Sequence, residues 1–187
     1  MELPGLAAHY GAMARYNAWM NERLYAQCAT LSDAERRREL GVFFGSIHGT
    51  LNHLLLTDRA QLARFGLGDA AVSRGADGSA ITVRALDQEL YADFAVLRRE
   101  RAATDAATVR WAGSLDAARL AAPLRYRAMV DDRDYEHPLW WAVSHFFNHQ
   151  THHRGQITAL LSRLGRDVGS TDLMTMLRSE PASHADP

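Results

Sequence analysis

Four stretches of this chain repeat an apolar residue every third or fourth position. From about Ala7 to Thr30, the residues Tyr10, Met13, Tyr16, Trp19, Met20, Leu24 and Cys28 keep that spacing. On a helix they share one face. Ser32-Asp-Ala-Glu35 then reads as a capping box that starts a short helix. A second long pattern runs from about Phe43 to Phe65, with Leu51, Leu54, Leu55, Leu62 and Phe65 on its apolar face. Gly66 and Gly68 end it. Gly66 to Ile81 carries no periodicity and reads as a long loop. Thr82 is the expected cap of a third helix, from about Val83 to Ala112, with Leu86, Leu90, Phe94, Leu97 and Trp111 inward.

The pattern changes beyond Gly113. Leu120 to Val130 alternates loosely, which fits a short strand pair or an irregular crossover. Pro138 suits the first turn of a fourth helix, which runs to about Leu164 and stops at Gly165. Gly169-Ser-Thr-Asp172 can cap a short final helix, Leu173 to Arg178. Four helices of roughly 23 to 30 residues predict an all-α four-helix bundle. The loop over 66–81 reaches about 50 Å when extended, longer than the roughly 35 Å of a helix of about 23 residues. Helices two and three can therefore run parallel, but an up-and-down order stays open. The expected organisation is one domain over 1–180 with a frayed tail over 181–187.

Composition narrows the function. The chain has 187 residues, 47% hydrophobic and 23% charged, as in ordinary globular proteins. Its net charge of −1 argues against a nucleic-acid surface. Lysine is absent, so all 21 basic residues are arginine, a bias of composition more than of chemistry. A single cysteine, Cys28, forbids an intrachain disulfide and is expected as a buried thiol in a reducing cytoplasm. The opening Met-Glu-Leu-Pro-Gly-Leu does not read as a secretory leader, and no run of about eighteen apolar residues predicts a membrane span.

The chemistry concentrates in His145-Phe-Phe-Asn-His149-Gln-Thr-His152-His153-Arg-Gly-Gln-Ile157. His145, His149 and His153 recur every fourth residue, so they drift only about 40° per step on a helix. Neutral imidazole is a common metal ligand, and a pair at i, i+4 can grip one ion. His149 and His153 are the chosen pair, and His145 could replace either. His152 points about 100° away, toward a supporting position or solvent. The second helix offers His48 and His53, about 140° apart, so one ion is not expected to use both. His53, nearer the helix middle, is favoured. Gly155 inside the helix suggests close approach of another helix. The Glu of H-E-x-x-H is missing, as are a phosphate loop and a G-x-S-x-G elbow.

These motifs resemble the DinB family of metal-binding four-helix-bundle proteins. The resemblance rests on Tyr16-Asn17-Ala-Trp-Met-Asn21-Glu-Arg-Leu24, on Phe43-Phe-Gly-Ser46-Ile-His48-Gly-Thr50-Leu-Asn52-His53 with Asp58-Arg59, on Leu124-Arg-Tyr126, on the histidine segment and on Asp172-Leu173. It implies an up-down-down-up bundle, a homodimer, and a divalent ion such as zinc or nickel held by His53, His149 and His153. Family members often carry Trp after the Asp-Arg pair; here Ala60-Gln61 stands there, at an expected pocket mouth.

Three histidine ligands leave a coordination position open. It would serve a metal-dependent hydrolase or hold a substrate thiolate, and that second mode resembles the thiol-dependent S-transferases related to this family, which use bacillithiol, mycothiol or glutathione. Asn52, Asp58, His145 and His152 are the candidates for supporting or acid–base roles. The alternative is a non-catalytic stress-response protein with a structural ion, its coordination closed by His145 or His48. DNA binding is suggested only by the family's name, and the charge opposes it.

Overall fold

A computed structural model describes residues 5–67, 72, 74–75, 78–128 and 132–180. Helix α1 spans Leu6–Ala29. The expected capping box then forms. Ser32 Oγ accepts the Glu35 N–H at 3.2 Å, the Glu35 carboxylate accepts the Ser32 N–H at 2.7 Å, and α2 follows as Asp33–Arg37. Helix α3 spans Ile47–Leu62, with Ser46 as its N-cap accepting the Gly49 N–H at 3.0 Å. It begins later than Phe43 because Gly45 just before it takes a left-handed φ of +71°. A wide π-helical turn, Ala63–Leu67, continues α3.

The third long helix corrects the sequence reading. Helix α4 spans Phe94–Gly113 with Asp93 as its N-cap, so Thr82 caps no helix and the segment from Val83 to Asp93 is not helical. The cause lies on α3. Asn52 Oδ1 accepts the N–H groups of Leu90 and Tyr91, both at 2.9 Å. Asn52 Nδ2 donates to the Tyr91 carbonyl at 3.2 Å, and His48 Nε2 reaches the same carbonyl at 3.0 Å. Backbone groups that a helix would pair internally are taken by side chains more than thirty residues away.

Helix α5 (Ala117–Ala121) leads into a hairpin of β1 (Pro123–Arg127) and β2 (Asp134–Pro138), with Tyr126 opposite Tyr135. The described residues are thus mostly helical, with a small antiparallel sheet whose first strand falls in the alternating stretch and whose second follows it. Helix α6 spans Leu139–Arg163, close to the expected limits. Helix α7, Leu173–Ser179, has Asp172 at its N-cap position without a side-chain cap bond. The expected frayed tail, residues 181–187, lies outside the described residues, as do 68–71, 73, 76 and 77 of the loop.

Helix α1 packs on α4 and α6, and α3 packs on the same two. One apolar cluster holds Met20, Leu24, Leu51, Leu97, Ile157 and Leu161; a second holds Tyr10, Leu62, Phe65, Trp111, Val143 and Phe146. On α3, α4 and α6 the buried polar residues Asp58, Arg101, Asp105, Gln150 and Arg154 lie between the two clusters. Asp58 accepts from Arg101 and Gln150, Asp105 accepts from Asn21 at 2.9 Å, and Arg154 donates to Asn17. Buried charges of this kind persist only when paired, since each loses its hydration. Cys28 is fully buried, and burial pushes its thiol up to about 12, so it stays protonated. Gly155 is exposed, and a Cβ there would meet nothing within 4 Å. The expected close approach of a helix at Gly155 is not present. No helix among the described residues is long and apolar enough to cross a membrane.

Candidate metal centre

The middle of α3 faces the middle of α6, and His53 meets His149 and His153 there. His53 Nε2 lies 3.3 Å from His149 Nε2, and His153 Nε2 lies 3.1 Å from the same atom. The three rings offer one nitrogen each, all within 4.8 Å of one another. Two nitrogens on one tetrahedral zinc, with bonds of about 2.0–2.1 Å, stand about 3.3–3.4 Å apart. The spacing therefore suits a shared ion.

The outer nitrogens fix the tautomers. His53 Nδ1–H donates to the Leu86 carbonyl at 2.7 Å, and His153 Nδ1–H donates to Gln156 Oε1 at 2.8 Å. Each of these rings then turns a lone pair inward at Nε2. His149 Nε2 can donate a proton to only one of them, so protons alone leave one close contact repulsive. A cation satisfies all three. Among the described residues His149 Nδ1 is buried without a hydrogen-bond partner, and the ring packs against His53, His145 and His153.

Burial sets the charge state. Desolvation lowers His53 to about 4, and desolvation followed by the neighbouring histidines lowers His149 to about 3. Burial also lowers His153, against its hydrogen bond to Gln156. Neutral rings at pH 7 are the form that ligates metal.

Phe44 packs its ring on His53 with centroids 3.8 Å apart. Gly49 allows this fold-back, since a Cβ there would sit 2.2 Å from the Phe44 carbonyl oxygen. Beyond the rings opens a cavity of about 990 Å³, lined by Phe43, Leu86, Leu124, Tyr126 and Trp141 among others. Ala60 and Gln61 line it too, where the pocket mouth was expected.

The chain matches the DinB family over residues 6–185. It belongs to the DinB family. No curated protein and no solved structure matches it.

The other histidines of this DinB-family chain divide in two. His145 and His152 are exposed and line the cavity; His152 Nε2 lies 3.2 Å from Gln156 Nε2. His48 is buried on the Tyr91 carbonyl, outside the group of three. Asn52 and Asp58 do not line the cavity: Asn52 pins Leu90 and Tyr91, and Asp58 sits with Arg101 and Gln150. Burial pushes Asp58 up to about 6, although Arg101 opposes the shift. Sequence reasoning missed Leu86, whose carbonyl orients His53, because it placed that residue in a helix. It also missed Gln156, although the spacing i, i+3 from His153 was available.

Proposed function

We propose that His53, His149 and His153 hold a divalent ion, zinc or nickel, and that the chain is a metal-dependent S-transferase for a low-molecular-weight thiol. The observation that carries this reading is the set of inward-facing Nε2 atoms at the floor of an apolar cavity. When bound, the ion would supply Lewis acidity, lowering the pKa of a thiol or water beside it.

The residues of the chain do the rest. Phe43, Leu124 and Trp141 offer an apolar wall to an electrophile. Among the described residues, no Asp or Glu lines the cavity to serve as general base. That favours a thiolate nucleophile over activated water. The sulfur attacks an electrophilic carbon, the leaving group departs with its bonding pair, and the thiol proton passes to solvent. Hydrolysis is the second reading, since exposed His145, with its ring 5.7 Å from His149, offers a base in the cavity.

The up-down-down-up order belongs to this reading. Its support is that Tyr10 reaches Ser144 while Asn17 reaches Arg154, the sense of parallel α1 and α6. Likewise Asn52 reaches Tyr91, just ahead of α4, and Asp58 reaches Arg101 within it, the sense of parallel α3 and α4. A homodimer is part of the same proposal, with Leu6, Met174 and Leu177 as exposed apolar surface; a concentration-independent monomer in light scattering would remove it.

The test uses untagged, zinc-loaded protein with glutathione and 1-chloro-2,4-dinitrobenzene. The expected result is thiol adduct and chloride in equal amounts, dependent on zinc and lost in His149→Ala. Hydrolysis of a p-nitrophenyl ester without adduct would replace this reading with the second. Neither activity, with zinc essential to the melting temperature, would point to a structural ion.

A further inference from the structure

The cavity has a polar edge that the three histidines do not explain. His53, Thr57, Gln61 and Arg64 all line it, spaced at successive turns of α3 and its π-helical extension. Arg64 lies eleven residues beyond His53, about 16 Å along a helix axis. Among the described residues it is the one arginine in the lining, and no Asp or Glu lines the cavity beside it. Among the described residues, no carboxylate pairs with it, whereas Arg59 and Arg101 are committed to Glu100 and to Asp58. Its guanidinium carbon sits 5.2 Å from the centre of the Tyr126 ring, on β1.

That arrangement leaves an exposed cation at the edge of a largely apolar cavity, steadied by an aromatic face and without a carboxylate partner among the described residues. Arginine in this setting offers a flat two-pronged donor that matches a carboxylate. The aromatic contact restricts the side chain before a ligand arrives, which lowers the entropy lost on binding.

We infer that Arg64 anchors a carboxylate at the far end of the ligand whose reacting end lies at His53, His149 and His153. This rests on the cavity being the transferase site proposed above. The ligand is then an elongated molecule of roughly 10–15 Å, with its body along Thr57 and Gln61. The carboxylate belongs either to the thiol or to the electrophile, and the two sources are separable.

Calorimetry on the full-length, untagged, zinc-loaded chain provides the test. One probe pair is S-methylglutathione and its diethyl ester; the other is octanoate and octanol. The expected result is that one acid binds about tenfold tighter than its neutral partner, and that Arg64→Gln reduces the preference below about twofold. A preference within the first pair assigns the carboxylate to the thiol, within the second to the electrophile. No preference in either pair, or a preference that survives in Arg64→Gln, overturns the inference. The same titrations on metal-free protein separate the two claims: the preference persists without zinc, whereas failure to take up zinc removes the metal centre and leaves Arg64 standing.

Discussion

His53 and His149 bring their Nε2 atoms to 3.3 Å although 96 residues separate them in the chain. Two nitrogens this close, with His153 Nε2 at 3.1 Å from His149, need a proton or a cation between them. The neutral state favoured by burial makes the cation the better occupant.

Acid should act on the metal-free protein through these rings. His53 falls to about 4 and His149 to about 3 in the fold, against about 6.5 in an unfolded chain. Below about 6.5 the unfolded chain takes up protons that the folded chain refuses. The stability from these rings is therefore full above that pH, and is lost as pH falls toward about 4 and then about 3. Melting temperatures of metal-free wild type should drop over that interval, and those of His149→Asn should drop less. Parallel curves would contradict the shifts.

Asn52 should matter through the backbone it holds. Removing its oxygen in Asn52→Ala leaves the buried Tyr91 N–H without its acceptor, along with Leu90. The expected cost is about 2–6 kcal/mol, from about 1–3 for each of the two groups left unpaired. Hydrogen exchange should accelerate at Leu90 and Tyr91, and zinc affinity should fall because the Leu86 carbonyl no longer orients His53. Unchanged exchange at those amides would refute this role.

Asp58 lies in the polar belt between the two apolar clusters, not in the cavity. Asp58→Ala removes one of the two carboxylates paired with Arg101, leaving Asp105 at 2.7 Å, and frees Gln150, a loss of about 3 kcal/mol, the low end for a broken buried pair. Chemical denaturation checks it. Zinc stoichiometry of the protein that remains folded should stay unchanged, whereas a loss of zinc with intact stability would make Asp58 part of the centre.

Gly155 offers the opposite sign. A Cβ there meets nothing within 4 Å, and alanine in a helix interior is favoured over glycine by about 1 kcal/mol. Gly155→Ala should raise the melting temperature by about 2–4 °C. A decrease would mean that another surface covers this face, as in a dimer.

Much of this was legible in the sequence, and the rest was hidden for identifiable reasons. The histidine repeat on α6 and the capping box at Ser32 are local signals, and each appears where its spacing puts it. The segment Val83 to Asp93 misled because its helical pattern is local, while the side chains that unwind it, His48, Asn52 and His53, belong to α3. The belt of Asn17, Asn21, Asp105 and Arg154 also stayed hidden, since polar residues on a helix ordinarily mark a solvated face. Asn17 and Asn21, one turn apart beside Tyr16 and Met20, were the available hint.

A competitive zinc titration of untagged, metal-free protein tests the central claim most directly, with His53→Ala, His149→Ala and His153→Ala measured alongside. One equivalent of zinc per chain, with affinity reduced about tenfold or more in each variant, is the predicted result. No stoichiometric uptake, or uptake unaffected by the three substitutions, would contradict the account.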